Sequence, residues 1–189
     1  MDRKILLNFG FNDIQINKIF NLGHDRLHIP ESKLLFTIKN SLNALLNLNI
    51  DPEEIIRLVD LYPDILFYSQ TKYNYIISLL YNYFNPNEIR NIFRNYPNII
   101  SGDIEKLFYK LEIFRENNLL ALIALKPKNL IQSAALDYAR IEFLKENKCS
   151  LEENYTFIFY SQKEFIKKFN ITNEDLLDKY PYNQIKKVK

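Results

Sequence analysis

The chain has 189 residues, of which 47% are hydrophobic and 25% are charged, and this composition is typical of a folded globular protein. Three glycines are too few for the many tight turns of a β-sandwich or for a phosphate-binding loop, and a single cysteine excludes an internal disulfide and a cysteine-rich zinc site. The net charge of +2 is well below that of a protein that binds DNA by electrostatic attraction alone, so a nucleic-acid-binding role would require the positive charge to be gathered on one face. The single cysteine leads us to expect an intracellular protein. We expect no membrane span, because no apolar run approaches about 20 residues, and no targeting segment is visible.

The N-terminal stretch, 9–47, predicts a degenerate first helical unit. Asn12 stands three residues before Gln15 in a capping-box pattern, and an isoleucine-rich helix follows. We expect this helix to break at Gly23, and a second helix to run from about Glu31 to Leu46. Terminal repeats of helical arrays are often atypical because one of their sides faces water.

The middle of the chain repeats a pattern of helix start and helix end with a period of 34 residues, the distance from Pro52 to Pro86 and from Pro63 to Pro97. A capping residue and a proline begin the first helix of each unit, and a tyrosine followed by a proline ends it. A short connector and a second helix complete the unit. Fixed spacing of this kind predicts stacked helix hairpins that bury their apolar faces on one another.

The second helices should each carry an apolar stripe, formed by Tyr75, Ile76, Leu79 and Leu80 in one unit and by Ile104, Leu107, Phe108 and Leu111 in the next. The pattern of residues 110–117 returns at 140–147, and the sequence Phe-Tyr-Ser-Gln at 67–70 returns at 159–162. We therefore predict one helical-repeat domain over residues 1–189. After the unit 9–47 it would contain repeats at about 48–83, 84–117, 118–149 and 150–169 and a C-terminal cap at 170–189.

The repeated unit resembles the mTERF (mitochondrial transcription termination factor) family. The resemblance covers roughly residues 48–169 and is carried by Ile55 to Pro63 with Ile65-Leu66, Ile89 to Pro97 with Ile99-Ile100, and Leu122 to Pro127 with Leu130. It implies an all-α fold, an α-solenoid or superhelix with a concave groove that binds double-stranded DNA or structured RNA. It also implies a place in the mitochondrial or plastid matrix, or in the cytoplasm if the protein is prokaryotic.

Six basic residues are candidates for binding phosphates along such a groove: Arg90, Arg94, Lys110, Lys126, Lys128 and Arg140. Lys110 and Arg140 occupy the same position in successive units, as a groove that follows a nucleic-acid backbone would require. The alternative is an ordinary solvated face, because Glu112 and Glu142 recur in the same register and can pair with basic residues three positions later. The lysines at 186, 187 and 189 form a small basic tail, which is either solvated or touches phosphate or an acidic partner.

No constellation of residues predicts catalysis, a cofactor or a small-molecule substrate. His24 and His28 have the i, i+4 spacing of zinc ligands on a helix, but no second cluster supplies further ligands, and we expect ordinary loop histidines. Cys149 has no histidine near it in the sequence, so we expect an inert thiol.

We therefore expect a non-catalytic nucleic-acid-binding protein that acts in transcription or ribosome biogenesis. The alternative is a protein–protein interaction module, or a structural subunit of a ribosome or RNA polymerase assembly that contacts ribosomal or polymerase proteins. The near-neutral net charge favours the alternative, and the family resemblance favours nucleic acid.

Overall fold

A computed structural model of the chain describes residues 4–182, and within that range every regular element is helical. The predicted all-α helical-repeat fold is confirmed. Within residues 4–182, no helix has both the length and the apolar character needed to cross a membrane. The lysines at 186, 187 and 189 lie outside the described residues.

Two compact units divide the chain, one from Met1 to Gly102 and the other from Asp103 to Lys189. The boundary falls inside the predicted repeat 84–117, and the division into repeats and a C-terminal cap stays a prediction.

The first unit contains six α-helices and two short 3₁₀ helices within its described part. The α-helices are α1 (Lys4–Phe9), α2 (Asp13–Leu27), α3 (Glu31–Asn47), α4 (Pro52–Leu61), α5 (Gln70–Tyr81) and α6 (Pro86–Asn95), and the 3₁₀ helices are Pro63–Phe67 and Pro97–Ser101. The 3₁₀ helix Pro63–Phe67 packs against α2, α3 and α4, and α5 packs against α3 and α6. The buried faces of these elements form a core of isoleucine, leucine and phenylalanine.

The second unit has the same alternation of elements. Its α-helices are α7 (Ile104–Glu116), α8 (Leu120–Leu125), α9 (Ala134–Glu146), α10 (Leu151–Asn154), α11 (Gln162–Phe169) and α12 (Asn173–Lys179), and its 3₁₀ helices are Pro127–Ile131 and Tyr155–Phe159. Helix α9 packs against α7, α12 and the 3₁₀ helix Tyr155–Phe159, so α9 is the centre of this unit.

The predicted break at Gly23 is wrong, because α2 continues through it to Leu27. A Cβ atom at Gly23 would lie 2.6 Å from Leu34 Cδ1 and 3.1 Å from Phe67 Cε1. Because Gly23 has no side chain, α2 can approach α3 and the 3₁₀ helix Pro63–Phe67 closely. The backbone of Gly23 is that of an ordinary α-helix.

The connectors predicted after the Tyr-Pro pairs are 3₁₀ helices that begin at the proline. The residues before Pro63, Pro97 and Pro127 share one conformation, with φ between −144° and −133° and ψ between 65° and 77°. Each of these residues still donates its N–H to the carbonyl four positions back, at 2.8–2.9 Å. The proline excludes the α conformation at the preceding residue, which explains why each helix ends there.

Tyr180 before Pro181 has nearly the same conformation, with φ −124° and ψ 69°. Its N–H donates to the Leu176 carbonyl at 2.8 Å. Helix α12 therefore ends as the first helix of a repeat does.

Side-chain caps are present at most of the helix starts at Asn12, Asp51, Asn85, Ser150 and Thr172. Asn12, Asn85 and Thr172 form complete capping boxes, and the Ser150 side chain accepts from the Glu153 N–H. Asp51 is the exception, because its side chain makes no capping hydrogen bond. Its carboxylate instead lies 3.9 Å from Arg94.

Two members of the predicted apolar stripes are exposed. Tyr75 in α5 and Phe108 in α7 both face solvent, whereas Leu80 and Leu111 are fully buried as expected. The stripes missed Tyr73 on α5, whose hydroxyl donates to the buried Ile65 carbonyl at 2.6 Å. On α7 they missed three buried positions, Lys110, Ile113 and Phe114.

Candidate nucleic-acid interface

The six predicted phosphate-binding residues divide into three pairs by their surroundings. Lys110 and Arg140 are buried, Arg90 and Arg94 are partly buried, and Lys126 and Lys128 are exposed. The first unit contains Arg90 and Arg94, and the second unit contains the other four.

Lys110 lies on α7 with only 3% of its surface exposed, and its Nζ atom is 2.6 Å from Oδ2 of the fully buried Asp137 on α9. The same ammonium group donates to the backbone carbonyl of Gln132. Burial raises the pKa of the Asp137 carboxyl to about 6 and lowers the pKa of Lys110, although the opposite charge of each partner acts against these shifts. The lysine is therefore committed to an interior carboxylate.

Arg140 lies on α9, one helical turn after Asp137. It is the largest fully buried side chain among the described residues. Its Nη1 atom donates to the carbonyls of Ile158 and Tyr160 at 2.9 and 2.5 Å, and its Nη2 atom donates to Asn173 Oδ1 at 2.9 Å. The guanidinium also lies 4.4 Å from the centre of the Phe165 ring. Burial lowers the pKa of Arg140 to about 10, so the group is still charged at neutral pH.

The prediction that Lys110 and Arg140 bind phosphates therefore needs correction. Both side chains use their donors on partners inside the second unit, and neither presents its charge to solvent. A phosphate could reach them only if α7 and α9 separated from their neighbours. Lys110 and Arg140 therefore lie outside the candidate interface.

Arg90 and Arg94 lie on α6 and reach back to the preceding part of the first unit. The Arg90 Nε atom donates to the Leu48 carbonyl at 3.1 Å. An Arg94 Nη2 atom lies 2.5 Å from Glu54, and the Arg94 Nε atom is buried without a hydrogen-bond partner. These residues hold α6 in place and are only partly available to a ligand.

Lys126 and Lys128 stand at the start of the 3₁₀ helix Pro127–Ile131, on either side of the buried Pro127. Both are exposed, and no partner for either side chain lies among residues 4–182. The proline fixes the backbone between them, so two free ammonium groups extend from one rigid turn.

A recurring contact explains why basic residues appear in register along the chain. A second-helix lysine or arginine donates to the carbonyl of the residue that follows the next 3₁₀ helix. Lys110 donates to Gln132 and Arg140 to Tyr160 from equivalent positions, and Lys72 donates to Gly102 at 2.5 Å from a position one helical turn earlier in its helix. The carbonyl end of a helix carries partial negative charge and attracts cations. The register of these charges therefore marks contacts between successive repeats, and Ser41 makes the neutral equivalent with its hydroxyl and the Tyr68 carbonyl at 3.2 Å.

The histidines do not assemble a metal site. His24 lies within α2, and His28 follows the helix in the left-handed conformation with φ 51°, so the prediction that both lie in a loop is wrong for His24. Within residues 4–182, no group of three or more His, Cys, Asp or Glu side chains is placed to hold a metal ion.

An open cleft of about 710 Å³ lies in the second unit, between the end of α7, α8 and the segment from α9 to α10. Its lining combines Leu119, Leu122 and Tyr155 with Lys148, Cys149 and Glu152. The charged residues of its lining are of both signs, so its chemistry does not select one class of ligand.

Comparison with known protein families supports the resemblance seen in the repeats. The sequence model of the mTERF family matches residues 3–119, which is more than half of the chain. The matched region includes the N-terminal unit 9–47, which the resemblance at 48–169 left out, and it ends before the last repeats. A search of curated proteins found no match to this sequence. The chain belongs to the mTERF family.

Proposed function

We propose that this chain is a non-catalytic helical-repeat protein that binds double-stranded DNA or structured RNA in transcription or ribosome biogenesis. Proteins of the mTERF family generally act in this way, by binding nucleic acid without catalysing a reaction. Members of the family also act in organelles, so we propose the mitochondrial or plastid matrix as its location, or the cytoplasm for a prokaryotic protein.

The pair Lys126 and Lys128 is the observation that carries this proposal. A phosphate contact requires a cation that is exposed and not already neutralised, and both lysines meet this requirement. Arg90 and Arg94 remain in the proposal as secondary contacts, since phosphate binding would have to compete with Leu48 and Glu54 for their donors.

Binding of a labelled DNA duplex across a salt series tests the proposal. The logarithm of the association constant should fall linearly with the logarithm of the salt concentration, by about 0.9 for each phosphate contact. The double variant Lys126→Gln/Lys128→Gln should reduce this slope by about 1.8, which is 0.9 for each of the two lost contacts.

A matched control removes two exposed basic residues that are already paired with carboxylates. Arg115 lies 2.5 Å from Glu112, and Lys145 lies 2.8 Å from Glu142. The variant Arg115→Gln/Lys145→Gln carries the same change of net charge and should leave the slope nearly unchanged. Equal slopes for both double variants would show that net charge alone drives binding and would remove Lys126 and Lys128 from the interface.

The second candidate function is a protein–protein interaction module. Leu61 and Leu125 both precede an X-Pro pair at equivalent repeat positions, and both are largely exposed. Exposed leucines at repeated positions suit contact with another protein such as a ribosomal or polymerase subunit. Absence of nucleic-acid binding, or binding that does not depend on salt, would favour this candidate.

A further inference from the structure

The first unit exposes aromatic rings, lysines and amides on two helices that pack against each other, α3 and α5. We define the aromatic surface as Phe36, Lys33 and Lys39 on α3 together with Tyr75 and Tyr81 on α5. The three rings expose 58%, 60% and 50% of their area for Phe36, Tyr75 and Tyr81. Exposed rings supply apolar faces that a ligand can cover.

The helices that carry these rings are held firmly from the opposite side. Helix α3 packs against α5, and both helices pack their other faces into the core, where Ile38 and Ile76 are buried. The Ser41 hydroxyl on α3 donates to the Leu66 carbonyl at 3.0 Å, and the Tyr73 hydroxyl on α5 donates to the Ile65 carbonyl at 2.6 Å. The exposed rings are thus presented on a rigid scaffold.

The charged residues of the aromatic surface, Lys33 and Lys39, are both positive. Helix α5 contains no acidic residue, and the only acid in α3 is Glu31 at its first position. Lys33 and Lys39 have no side-chain partner among residues 4–182. Helix α4 of the same unit differs, since it carries the acidic residues Glu53, Glu54 and Asp60.

We propose that the aromatic surface binds single-stranded nucleic acid, with unpaired bases stacked on Phe36, Tyr75 and Tyr81 and phosphates held by Lys33 and Lys39. This inference rests on the proposed function and names a nucleic-acid class and a surface that the six predicted basic residues do not include. Exposed rings can stack only on bases that are not already stacked in a duplex.

Amides beside the rings complete the surface, because Asn43 on α3 and Asn74 on α5 are both exposed. Amide groups can donate to and accept from the edges of unpaired bases. A protein partner would suit the rings, because tyrosine and phenylalanine are enriched in protein–protein interfaces, but it would not suit Lys33 and Lys39, because lysine is depleted there and is a common phosphate contact.

Fluorescence anisotropy of a labelled oligothymidine of about 12 nucleotides, within the usual site size of such surfaces, tests the inference. The triple variant Phe36→Leu/Tyr75→Leu/Tyr81→Leu keeps apolar side chains but removes the π-faces. We expect its dissociation constant to rise by at least about 5-fold for each lost stacking contact. The variant Lys33→Gln/Lys39→Gln should reduce the salt slope on the single strand by about 1.4, which is 0.7 for each lysine.

Two controls separate stacking from other effects. The variant Ile14→Ala/Leu61→Ala removes exposed apolar side chains of the same unit that lie outside the aromatic surface, and it should bind like the unaltered chain. An oligonucleotide of the same length without bases retains the phosphates. The triple leucine variant and the unaltered chain should bind this abasic strand equally, and circular dichroism should show the same helical content for both.

The outcomes distinguish this inference from the function on which it rests. If the triple leucine variant binds oligothymidine as tightly as the unaltered chain does, the aromatic surface is not the binding site. If duplex binding that depends on Lys126 and Lys128 persists in the same experiment, the proposed function stands and the inference alone fails. If the chain binds neither the duplex nor the single strand, both fail and a protein partner is favoured.

Discussion

Lys110 and Asp137 form a buried ion pair that joins α7 to α9, with the lysine Nζ atom 2.6 Å from the aspartate Oδ2 atom. The other carboxylate oxygen, Oδ1, accepts from the Gln132 side chain at 2.6 Å. The pair therefore connects two successive second helices and the connector between them. Lys110, which the sequence suggested for phosphate binding, therefore contributes to the packing between repeats inside the second unit.

Removing one partner of this pair should destabilise the second unit strongly. Lys110→Met leaves an unpaired buried carboxylate, and breaking a buried pair in this way costs about 3–5 kcal/mol. Replacing both partners, as in Lys110→Met/Asp137→Leu, should cost less than the sum of the single changes, because no lone charge remains. Urea denaturation of the four proteins measures the coupling, and additive free energies would mean that the two side chains do not interact.

The free energy of unfolding should depend on pH because Asp137 titrates at a different pH in the folded and the unfolded chain. Burial raises the pKa of this carboxyl to about 6 in the folded chain, above its value of about 3.9 in an unfolded chain. The folded state then holds the proton more tightly, so the contribution of Asp137 to stability is greatest below about pH 4 and is lost as the pH rises to about 6.

Urea denaturation between about pH 4 and 7 tests this expectation against Asp137→Asn, which does not titrate. The difference in unfolding free energy between the unaltered chain and Asp137→Asn should shift against the unaltered chain as the pH rises. A shift in the other direction would show that Lys110 lowers the pKa of the carboxyl more than burial raises it.

Gly23→Ala should destabilise the first unit, although alanine is normally the better residue within a helix by about 1 kcal/mol. The new methyl group would lie 2.6 Å from Leu34 Cδ1 and 3.1 Å from Phe67 Cε1, and Leu34 is fully buried and cannot swing aside into solvent. We expect a loss of about 1–3 kcal/mol from overpacking. The exposed Asn21→Ala on the same helix is the control, and thermal unfolding of both variants is the measurement; a stabilised Gly23→Ala protein would mean that α3 can move away from α2.

Local sequence signals were sufficient to predict most helix starts and ends. Proline acts on the residue before it, and capping residues act within three positions, so both signals are legible without knowledge of the fold. The error at Gly23 has the opposite cause. Its role depends on Leu34 and Phe67, which are 11 and 44 residues away and approach it only in the folded unit.

The candidate site was less predictable, because the sequence does not tell an exposed charge from a buried one. Lys110 and Arg140 recur in register, and either a groove for phosphates or a contact between repeats can produce that pattern. The nearby Asp137 and the carbonyls at the end of the next 3₁₀ helix decide between the two. Aromatic residues pose the same difficulty, since Tyr73 is buried and Tyr75 is exposed on the same helix.

Three substitutions on α7 test the observed register of this helix. Leu111→Ala should cost about 2–5 kcal/mol, because the leucine is fully buried. Phe108→Ala should cost clearly less, since the ring faces solvent, and Lys106→Ala on the exposed side should stay within about 0.5 kcal/mol. Denaturant titration measures the unfolding free energy of the three variants. If Phe108→Ala loses as much stability as Leu111→Ala, Phe108 is buried as the sequence predicted.

Arg140→Lys should destabilise the second unit even though it preserves the charge. The guanidinium donates through Nη1 to the Tyr160 carbonyl at 2.5 Å and through Nη2 to Asn173 at the start of α12 at 2.9 Å. A lysine has one nitrogen and cannot satisfy both groups from one position, so we expect a loss of about 1–3 kcal/mol.

Hydrogen exchange locates this effect. The Leu176 N–H in α12 donates to the Thr172 carbonyl at 3.1 Å and should exchange faster in Arg140→Lys, because α12 loses its contact with α9 through Asn173. Lys145→Arg, an exposed change on the same helix, should leave both stability and exchange unaltered. If Arg140→Lys instead keeps full stability and weakens binding to a DNA duplex, the arginine reaches the nucleic acid after all and belongs with Lys126 and Lys128.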